Sequence, residues 1–453
     1  MGGDEKFCLM GDTEININIP ASKSIVNRAL IIEKLSGKSL INKKDISCDD
    51  TKVLSQVLSL SDCRSSICHC GLDPQSLEYI NIKNSGTAMR FMAAYLTQKV
   101  GNWLLIGSES MQSRPIDTLV NALRTLGAEI KYYGKNGFLP VKICTKTPLN
   151  PQNAELTIEN SDSSQTISAL MLIAPNFTNG LKINIKNCAS FPYILLTKKI
   201  MEDYGAEVQI NDNQIFVLSS CHCGLDPQSL KNSFAGANLK FVPKNTTHRL
   251  KIGASVIEAD WDSAAFWYAF LATNEKHKKI TLTNLFSDSY QPDSIVKDIF
   301  EKFGIKTVFN NSVTLQKETK IVLPKQFDFN FEYYPDLVPI MAVTCCFLDV
   351  KFNFSGVQHL RIKESNRLDA LQNELKKCGF LLTQTENSLQ WLGEKCEPQK
   401  SPKIETYNDH RIAMAFAILK QKINLKILNP KVVSKSYKNF WKDYGKLQME
   451  IVS

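Results

Sequence analysis

Asn84-Ser85-Gly86-Thr87-Ala88-Met89-Arg90 stands between a strand-like run, Tyr79-Ile80-Asn81-Ile82, and an apolar run, Phe91-Met92-Ala93-Ala94-Tyr95-Leu96. A small polar loop with glycine at this junction leaves backbone N–H groups unpaired at the positive end of a helix, an arrangement that suits an anion. Arg90 falls one turn inside that helix, and Arg114 follows in Ser113-Arg114-Pro115-Ile116. A single strand–glycine–helix turn is common; its weight here comes from recurrence.

Five further segments repeat the polar loop followed by an apolar helical run. Ser22-Lys23-Ser24 leads to Ala29-Leu30-Ile31-Ile32, and Ser161-Asp162-Ser163-Ser164-Gln165 leads to Ala169-Leu170-Met171-Leu172-Ile173. Asp260-Trp261-Asp262-Ser263, Tyr334-Pro335-Asp336 and Tyr407-Asn408-Asp409-His410 introduce three more. The mean spacing, roughly seventy-five residues, predicts repeated supersecondary units longer than those of ordinary solenoids. Amphipathic runs that stop at Gly127, Gly205, Gly304 and Gly379 supply a second helix per unit, since glycine permits the left-handed closing turn. Helices alternating with strands place the chain in the α/β class.

The 453 residues suffice for two or three domains with large cores. A hydrophobic content of 43% and a charged content of 22% are those of a globular protein. The formal charge of +9 favours small anionic substrates, because the lysines are dispersed and no aromatic-plus-basic nucleic-acid motif accompanies them. Met1 to Met10 are too polar and acidic for a secretion signal, and no run approaches transmembrane length. Thirteen scattered cysteines, an odd number, argue for reduced thiols and a cytoplasmic protein.

Cys68-His69-Cys70-Gly71-Leu72-Asp73-Pro74-Gln75-Ser76-Leu77 recurs verbatim as Cys221 to Leu230. Two Cys-x-Cys pairs with neighbouring histidines are conceivable zinc ligands, but structural zinc sites favour wider spacing, and ten identical residues exceed what ligation requires. The copies are expected to be inserted, exposed loops remote from the chemistry, with Gly-Leu-Asp-Pro as turn material. No metal site is assigned.

Three further stretches carry chemistry. In Ser22-Lys23-Ser24-Ile25-Val26-Asn27-Arg28, two cations and a hydroxyl flank the first helical turn. His359-Leu360-Arg361-Ile362-Lys363-Glu364-Ser365-Asn366-Arg367 crowds charges ahead of a helix; a surface ion-pair cluster is the ordinary reading, an anion clamp with a proton donor the functional one. Asn408-Asp409-His410-Arg411 sets a histidine and an arginine at the mouth of a very apolar helix, where a solvated face is not expected.

Taken in order, these motifs resemble the 5-enolpyruvylshikimate-3-phosphate synthase family. The resemblance rests on Ser22-Lys23-Ser24 with Asn27-Arg28, Asn84 to Arg90, Arg114-Pro115-Ile116, Ser163-Ser164-Gln165, Pro335-Asp336, Lys363-Glu364-x-x-Arg367 and Asn408-Asp409-His410-Arg411, and spans about Pro20 to Tyr437. It implies a two-domain enolpyruvyl-transferase fold, an inverted α/β barrel of six βαβαββ units with three per domain. One domain would comprise 1–21 plus 258–453 and the other 22–257, joined by a double hinge near Ala21 and Glu258. The implied reaction transfers the enolpyruvyl group of phosphoenolpyruvate to the 5-hydroxyl of 3-phosphoshikimate by addition and elimination, without metal or organic cofactor, in a monomer that binds neither nucleic acid nor membrane. The family pattern places 3-phosphoshikimate on Lys23, Ser24, Arg28, Ser163, Ser164, Gln165, Ser190, Asp336 and Lys363. It places phosphoenolpyruvate on Lys23, Gly86, Arg114, Gln165, Arg367, Arg411 and Lys435. Asp336 is the implied base, Lys23 and Glu364 are acid/base candidates at the substrate methylene, and His410 supports them. Two positions depart from the pattern: Phe91 stands where many members have proline, and His359 where an asparagine often contacts the shikimate ligand, so His359 is left out of the site. The rivals are the sister transferase acting on a UDP-amino sugar, which carries a Lys-Asn pair where this chain has Lys23-Ser24, and a non-enzymatic anion- or nucleic-acid-binding protein.

Overall fold

A computed structural model describes residues 15–38, 41–67, 77–161, 164–188, 190–219, 257–310 and 312–449, with side chains at 62–67, 160–161, 187–188 and 448–449 excepted. Ser163 and the two decapeptide copies, save Leu77, lie outside the described residues. The chain divides into two compact units: unit 1 is Met1–Pro20 with Glu258–Ser453, and unit 2 is Ala21–Ile257.

Strand β1 (Ile15–Ile17) belongs to unit 1 and is followed by the whole of unit 2. There α1 (Lys23–Ser36) and α2 (Asp49–Ile67) form a helix pair. A complete βαβαββ unit follows: β2 (Leu77–Asn81), α3 (Gly86–Leu96), β3 (Gly101–Ile106), the short α4 (Glu109–Gln112), α5 (Asp117–Thr125), β4 (Glu129–Tyr132) and β5 (Val141–Thr145). The next comprises β6 (Glu155–Ser161), α6 (Ser164–Ile173), β7 (Leu181–Cys188), α7 (Pro192–Asp203), β8 (Val208–Asn211) and β9 (Gln214–Val217).

Back in unit 1, α8 (Trp261–Thr273), β10 (Lys279–Leu282), α9 (Val296–Glu301), β11 (Ile305–Phe309) and β12 (Val313–Lys317) complete the unit that β1 began. Another is β13 (Gln326–Asn330), α10 (Val338–Phe347), β14 (Lys351–Ser355), α11 (Arg367–Lys377), β15 (Thr383–Gln384) and β16 (Ser388–Trp391). The last runs β17 (Lys403–Ile404), α12 (His410–Ala417), β18 (Lys426–Ile427), α13 (Phe440–Met449). Among the described residues no helix is long and apolar enough to cross a membrane.

Four of the sheets share one topology. In each, the first strand runs parallel to the second, which pairs antiparallel with the fourth, and the fourth with the third: β2-β3-β5-β4, β6-β7-β9-β8, β1-β10-β12-β11 and β13-β14-β16-β15. The parallel pair needs a crossover helix, and that helix is the one following each polar loop. Sequence dictates its burial. In α8 every residue from Trp261 to Thr273 is buried, and so is all of α12; a helix apolar on all sides has no face to offer water. In unit 2, α1, α3 and α6 touch one another, and α2, α5 and α7 fill the spaces between successive pairs. In unit 1, α8 packs on α10 and α10 on α12. Each unit thus closes its own core around three inner helices.

Glycines close the second helices as expected: Gly127, Gly205, Gly304 and Gly379 all have positive φ. Their surroundings differ. A β-carbon at Gly205 would meet nothing within 4 Å, whereas one at Gly304 would land on the Ile321 side chain. Gly205→Ala should therefore cost only the left-handed strain, about 1–2 kcal/mol, and Gly304→Ala appreciably more. Denaturant midpoints of the two variants test this; equal midpoints contradict it.

His359, in the short turn Gln358–Ile362, is a buried polar group of a different kind. The residue is 4% exposed, and neither ring nitrogen has a hydrogen-bond partner among the described residues. Burial lowers its pKa to about 3; Lys363 and Arg367 act in the same direction and Asp336 opposes them. A histidine held neutral this way stabilises the fold fully above about pH 6.5, its unfolded value, and loses that contribution as pH falls toward the folded value. Between those limits wild-type stability should drop by about 1.4 kcal/mol per pH unit more than that of His359→Asn. Parallel stability–pH curves for the two proteins would show that the ring charges freely in the native state.

Candidate active site

The inner helices of unit 1 begin at residues that bond to each other across repeats. Arg367, the first residue of α11, is 1% exposed and is the hub. Its Nε donates to Asp409 Oδ2 at 2.7 Å, Nη1 to Asp336 Oδ1 at 2.8 Å and Nη2 to Glu364 Oε2 at 2.8 Å. Burial alone would disfavour its charge, but the carboxylates of Asp409, Glu364 and Asp336 outweigh that and hold its pKa above the ordinary arginine value. Asp336 comes from the turn before α10 and Asp409 from the N-cap of α12, so one guanidinium ties two repeats together.

Arg411, one residue into α12, extends the network. Its backbone N–H donates to Asp409 Oδ1 at 2.9 Å, Nη2 donates to Asp336 Oδ2 at 2.8 Å, and Nη1 pairs with Asp262 Oδ1 in the first turn of α8. Lys435 Nζ lies 3.2 Å from Glu364 Oε1. Asp336, Glu364, Arg367, Arg411 and Lys435, all singled out from sequence, are thus brought into one network. His410 is fully buried at the start of α12, with Nδ1 3.7 Å from Asp409 Oδ1, too long for a hydrogen bond. Lys363 caps the turn ahead of Glu364.

Unit 2 repeats the arrangement with different chemistry. Gly86 opens α3, and Ser85 caps it by accepting from the Ala88 N–H at 3.3 Å. Arg90 reaches back from α3 to donate to the Gly86 carbonyl at 3.4 Å, to the Pro115 carbonyl at 3.0 Å and to Gln165 Oε1 at 3.3 Å. Gln165 in turn donates from Nε2 to Thr87 Oγ1 at 3.0 Å. Arg114 lies against Gly86: a β-carbon there would come within 2.7 Å of Arg114 Nη1. Gly86, Arg114 and Gln165 are therefore gathered at the start of α3, with Arg90 as the brace.

Lys23 begins α1 with Nζ 3.8 Å from Asp50 Oδ2, and Ser24 follows in the first turn. Ser164 begins α6 and is buried. Ser190 has a φ of 60° and precedes α7. Arg28 is committed inside the unit: it donates to Thr197 Oγ1 at 2.7 Å, the Ser24 carbonyl at 2.8 Å, Ser168 Oγ at 3.2 Å and the Tyr193 carbonyl at 3.4 Å. Its guanidinium carbon also sits 5.6 Å from the Phe91 ring centroid. Burial lowers its pKa to about 10, with Tyr193 acting slightly the other way.

Sequence reasoning did not name Asp262, Asp409 and Arg90 as site residues. Asp409 and Arg90 lay inside motifs already quoted, and Asp262 sat two residues after a helix-capping Asp260. Chemically, both units present cations at helix N-termini, where developing or bound negative charge is favoured. Unit 1 adds carboxylates able to accept and return protons.

The chain matches the sequence model of EPSP synthase (3-phosphoshikimate 1-carboxyvinyltransferase) over residues 10–222 and 237–444. The break at 223–236 takes in most of the second decapeptide copy. A 3-phosphoshikimate 1-carboxyvinyltransferase of Bacteroides fragilis (strain YCH46) is 38% identical over 447 residues, covering 97% of each chain. That of Mannheimia haemolytica is 28% identical over 452 residues, covering 96% of this chain and 97% of the relative. The solved EPSP synthase of Acinetobacter baumannii superposes with a TM-score of 0.66 at 17% identity, covering 96% of this chain and 95% of that one, and so shares the two-domain α/β fold. With the six loop–helix repeats in place and the family match running over nearly the whole length, the chain belongs to the EPSP synthase family, the 3-phosphoshikimate 1-carboxyvinyltransferases.

Proposed function

We propose that this chain transfers the enolpyruvyl group of phosphoenolpyruvate to the 5-hydroxyl of 3-phosphoshikimate, releasing phosphate. The observation that carries this reading is the Arg367–Arg411–Lys435 group interleaved with Asp336 and Glu364. A plain anion-binding protein has no use for carboxylates among its cations; an addition–elimination reaction needs both. The hydroxyl oxygen bonds to the central carbon of phosphoenolpyruvate as its proton goes to a base, and the methylene carbon takes a proton from an acid. In the second step that methyl group gives a proton back, and the C–O bond to phosphate breaks.

In this reading Asp336 receives the hydroxyl proton. It is held between two guanidinium groups, so it becomes available as Arg367 and Arg411 turn to the anionic substrate. Glu364, paired with Arg367 and Lys435, and Lys23, beside Asp50, are the acid/base candidates at the methylene, with His410 in support. Phosphoenolpyruvate recognition is assigned to Lys23, Gly86, Arg114, Gln165, Arg367, Arg411 and Lys435. The arginines suit its carboxylate by forked hydrogen bonds and the lysines its phosphate as point charges. 3-Phosphoshikimate falls to Lys23, Ser24, Ser163, Ser164, Gln165, Ser190, Asp336 and Lys363. Arg28 belongs to the same set, positioned by four hydrogen bonds inside unit 2, one of them to the Ser24 carbonyl. The protein works as a monomer in the cytoplasm.

A phosphate-release assay with both substrates tests the reaction. Phosphate should appear only when 3-phosphoshikimate accompanies phosphoenolpyruvate; no release, or equal release with a UDP-amino sugar, overturns the assignment. Two variants test the roles. Glu364→Gln should lower kcat by about 10²–10⁴-fold, the usual scale for losing a general acid or base. Gly86→Ala pushes its new methyl group onto the Arg114 guanidinium, a flexible end that can shift. Its KM for phosphoenolpyruvate should rise while that for 3-phosphoshikimate holds, and a change in both would place Gly86 elsewhere.

A further inference from the structure

Among the described residues, ion pairs of the unit 1 network join the carboxylates of Asp262, Asp336, Glu364 and Asp409 to the cations of Arg367, Arg411 and Lys435. An incoming anion brings further negative charge to carboxylates that already share these cations. The carboxylates are not equally equipped for that. Asp336 pairs with Arg367 as well as Arg411, and its side chain is 21% exposed, so solvent reaches it. Glu364 is shared by Arg367 and Lys435. Asp409, though buried, accepts from Arg367 Nε, Ser365 Oγ and the Arg411 backbone N–H.

Asp262 has none of these reserves. Its side chain is 5% exposed, Arg411 is its one ion-pair partner among the described residues, and no well-aligned hydrogen-bond donor reaches either oxygen. The nearby Ser263 N–H is already taken by Asp260, which caps α8. The charged groups within reach are Arg411 from α12, Asp260 on its own helix cap and Asp336 from the turn before α10; two of the three repel it.

We propose that Asp262 is a positioning residue that takes up a proton from solvent when an anionic substrate draws Arg411 away, and gives it back when the anion leaves. A buried carboxylate stripped of the cation it pairs with is far costlier than a buried carboxylic acid. Protonation thus removes one of the two carboxylates that compete for Arg411, the other being Asp336. The resting state points the same way. Burial raises the Asp262 pKa most, Arg411 pulls it down, and Asp260 and Asp336 push it up again, leaving it at about 6 with Arg411 in place. Losing Arg411 removes the one influence that keeps it low. The proposal rests on the reading of Arg411 as a phosphoenolpyruvate ligand.

Binding of phosphoenolpyruvate to the full chain, measured by calorimetry across a pH series, tests it. Above about pH 7 a phosphate ester is almost fully ionised, so the ligand contributes little pH dependence there. One linked proton makes the wild-type dissociation constant rise toward tenfold per pH unit over that range. In Asp262→Asn the side chain is neutral throughout, and the constant should be nearly flat and tighter than wild type at the alkaline end. A merely structural role would shift both curves without changing the slope. Wild-type affinity independent of pH overturns the proposal on its own, even if the variant does not fold, and so does an equal slope in Asp262→Asn. Binding and turnover with a flat wild-type curve sink only the role of Asp262, whereas no binding at any pH sinks the assignment of phosphoenolpyruvate with it.

Discussion

Arg367 with its three carboxylates is the interaction on which unit 1 depends. A guanidinium at 1% exposure would cost several kcal/mol if left unpaired. Here Asp409, Asp336 and Glu364 take one nitrogen each. The partners come from the turn before one inner helix, the cap of another and the loop leading into α11. The bonds that make the charge tolerable therefore also align the beginnings of those helices. Asp409 shows the economy of the arrangement, since one carboxylate caps α12 through the Arg411 N–H and neutralises Arg367. Stability and the candidate chemistry rest on the same atoms, so substitutions in this network trade one against the other.

Unit 2 solves the same geometric problem with less charge. Arg90 ties the start of α3 to the loop before α5 and to α6 through two carbonyls and an amide. Arg28 joins α1 to α6 and α7 through hydroxyls and carbonyls. In these bonds both guanidinium groups meet carbonyls, hydroxyls and an amide, at the N-termini of buried helices where the backbone also favours negative charge. Unit 2 thus braces its helix starts mainly with neutral acceptors, while unit 1 braces its own with carboxylates.

Much of this was legible in the chain. The six inner helices were visible because a segment apolar on all sides must be buried, and because each began with residues that cap or carry charge. The glycine stops were visible because a left-handed turn admits few other residues, and all four have positive φ. What escaped was pairing between repeats. Asp262 reads as one more acid near a helix cap, and only the packing of α8, α10 and α12 sets it against Arg411. Arg28 reads as a cation at the start of a helix, and its hydrogen bonds to Thr197 and Ser168, 169 and 140 positions away in the chain, were not visible there. Such partners depend on tertiary contacts that no local pattern encodes. His359 is similar: the sequence marks it as unusual, but its lack of hydrogen-bond partners is a property of the packed turn.

The first strand has a consequence for synthesis. β1 pairs in parallel with β10, Ile15 opposite Ile280 and Ile17 opposite Leu282, and the whole of unit 2 is made between them. Unit 2 is continuous in the chain and can close its core as it emerges from the ribosome. Unit 1 is split, and its opening segment must stay uncommitted until more than half of the polypeptide exists. The order of folding is thereby written into the topology: the inserted unit first, the enclosing unit last, with an apolar N-terminal strand needing protection from stray edge pairing meanwhile.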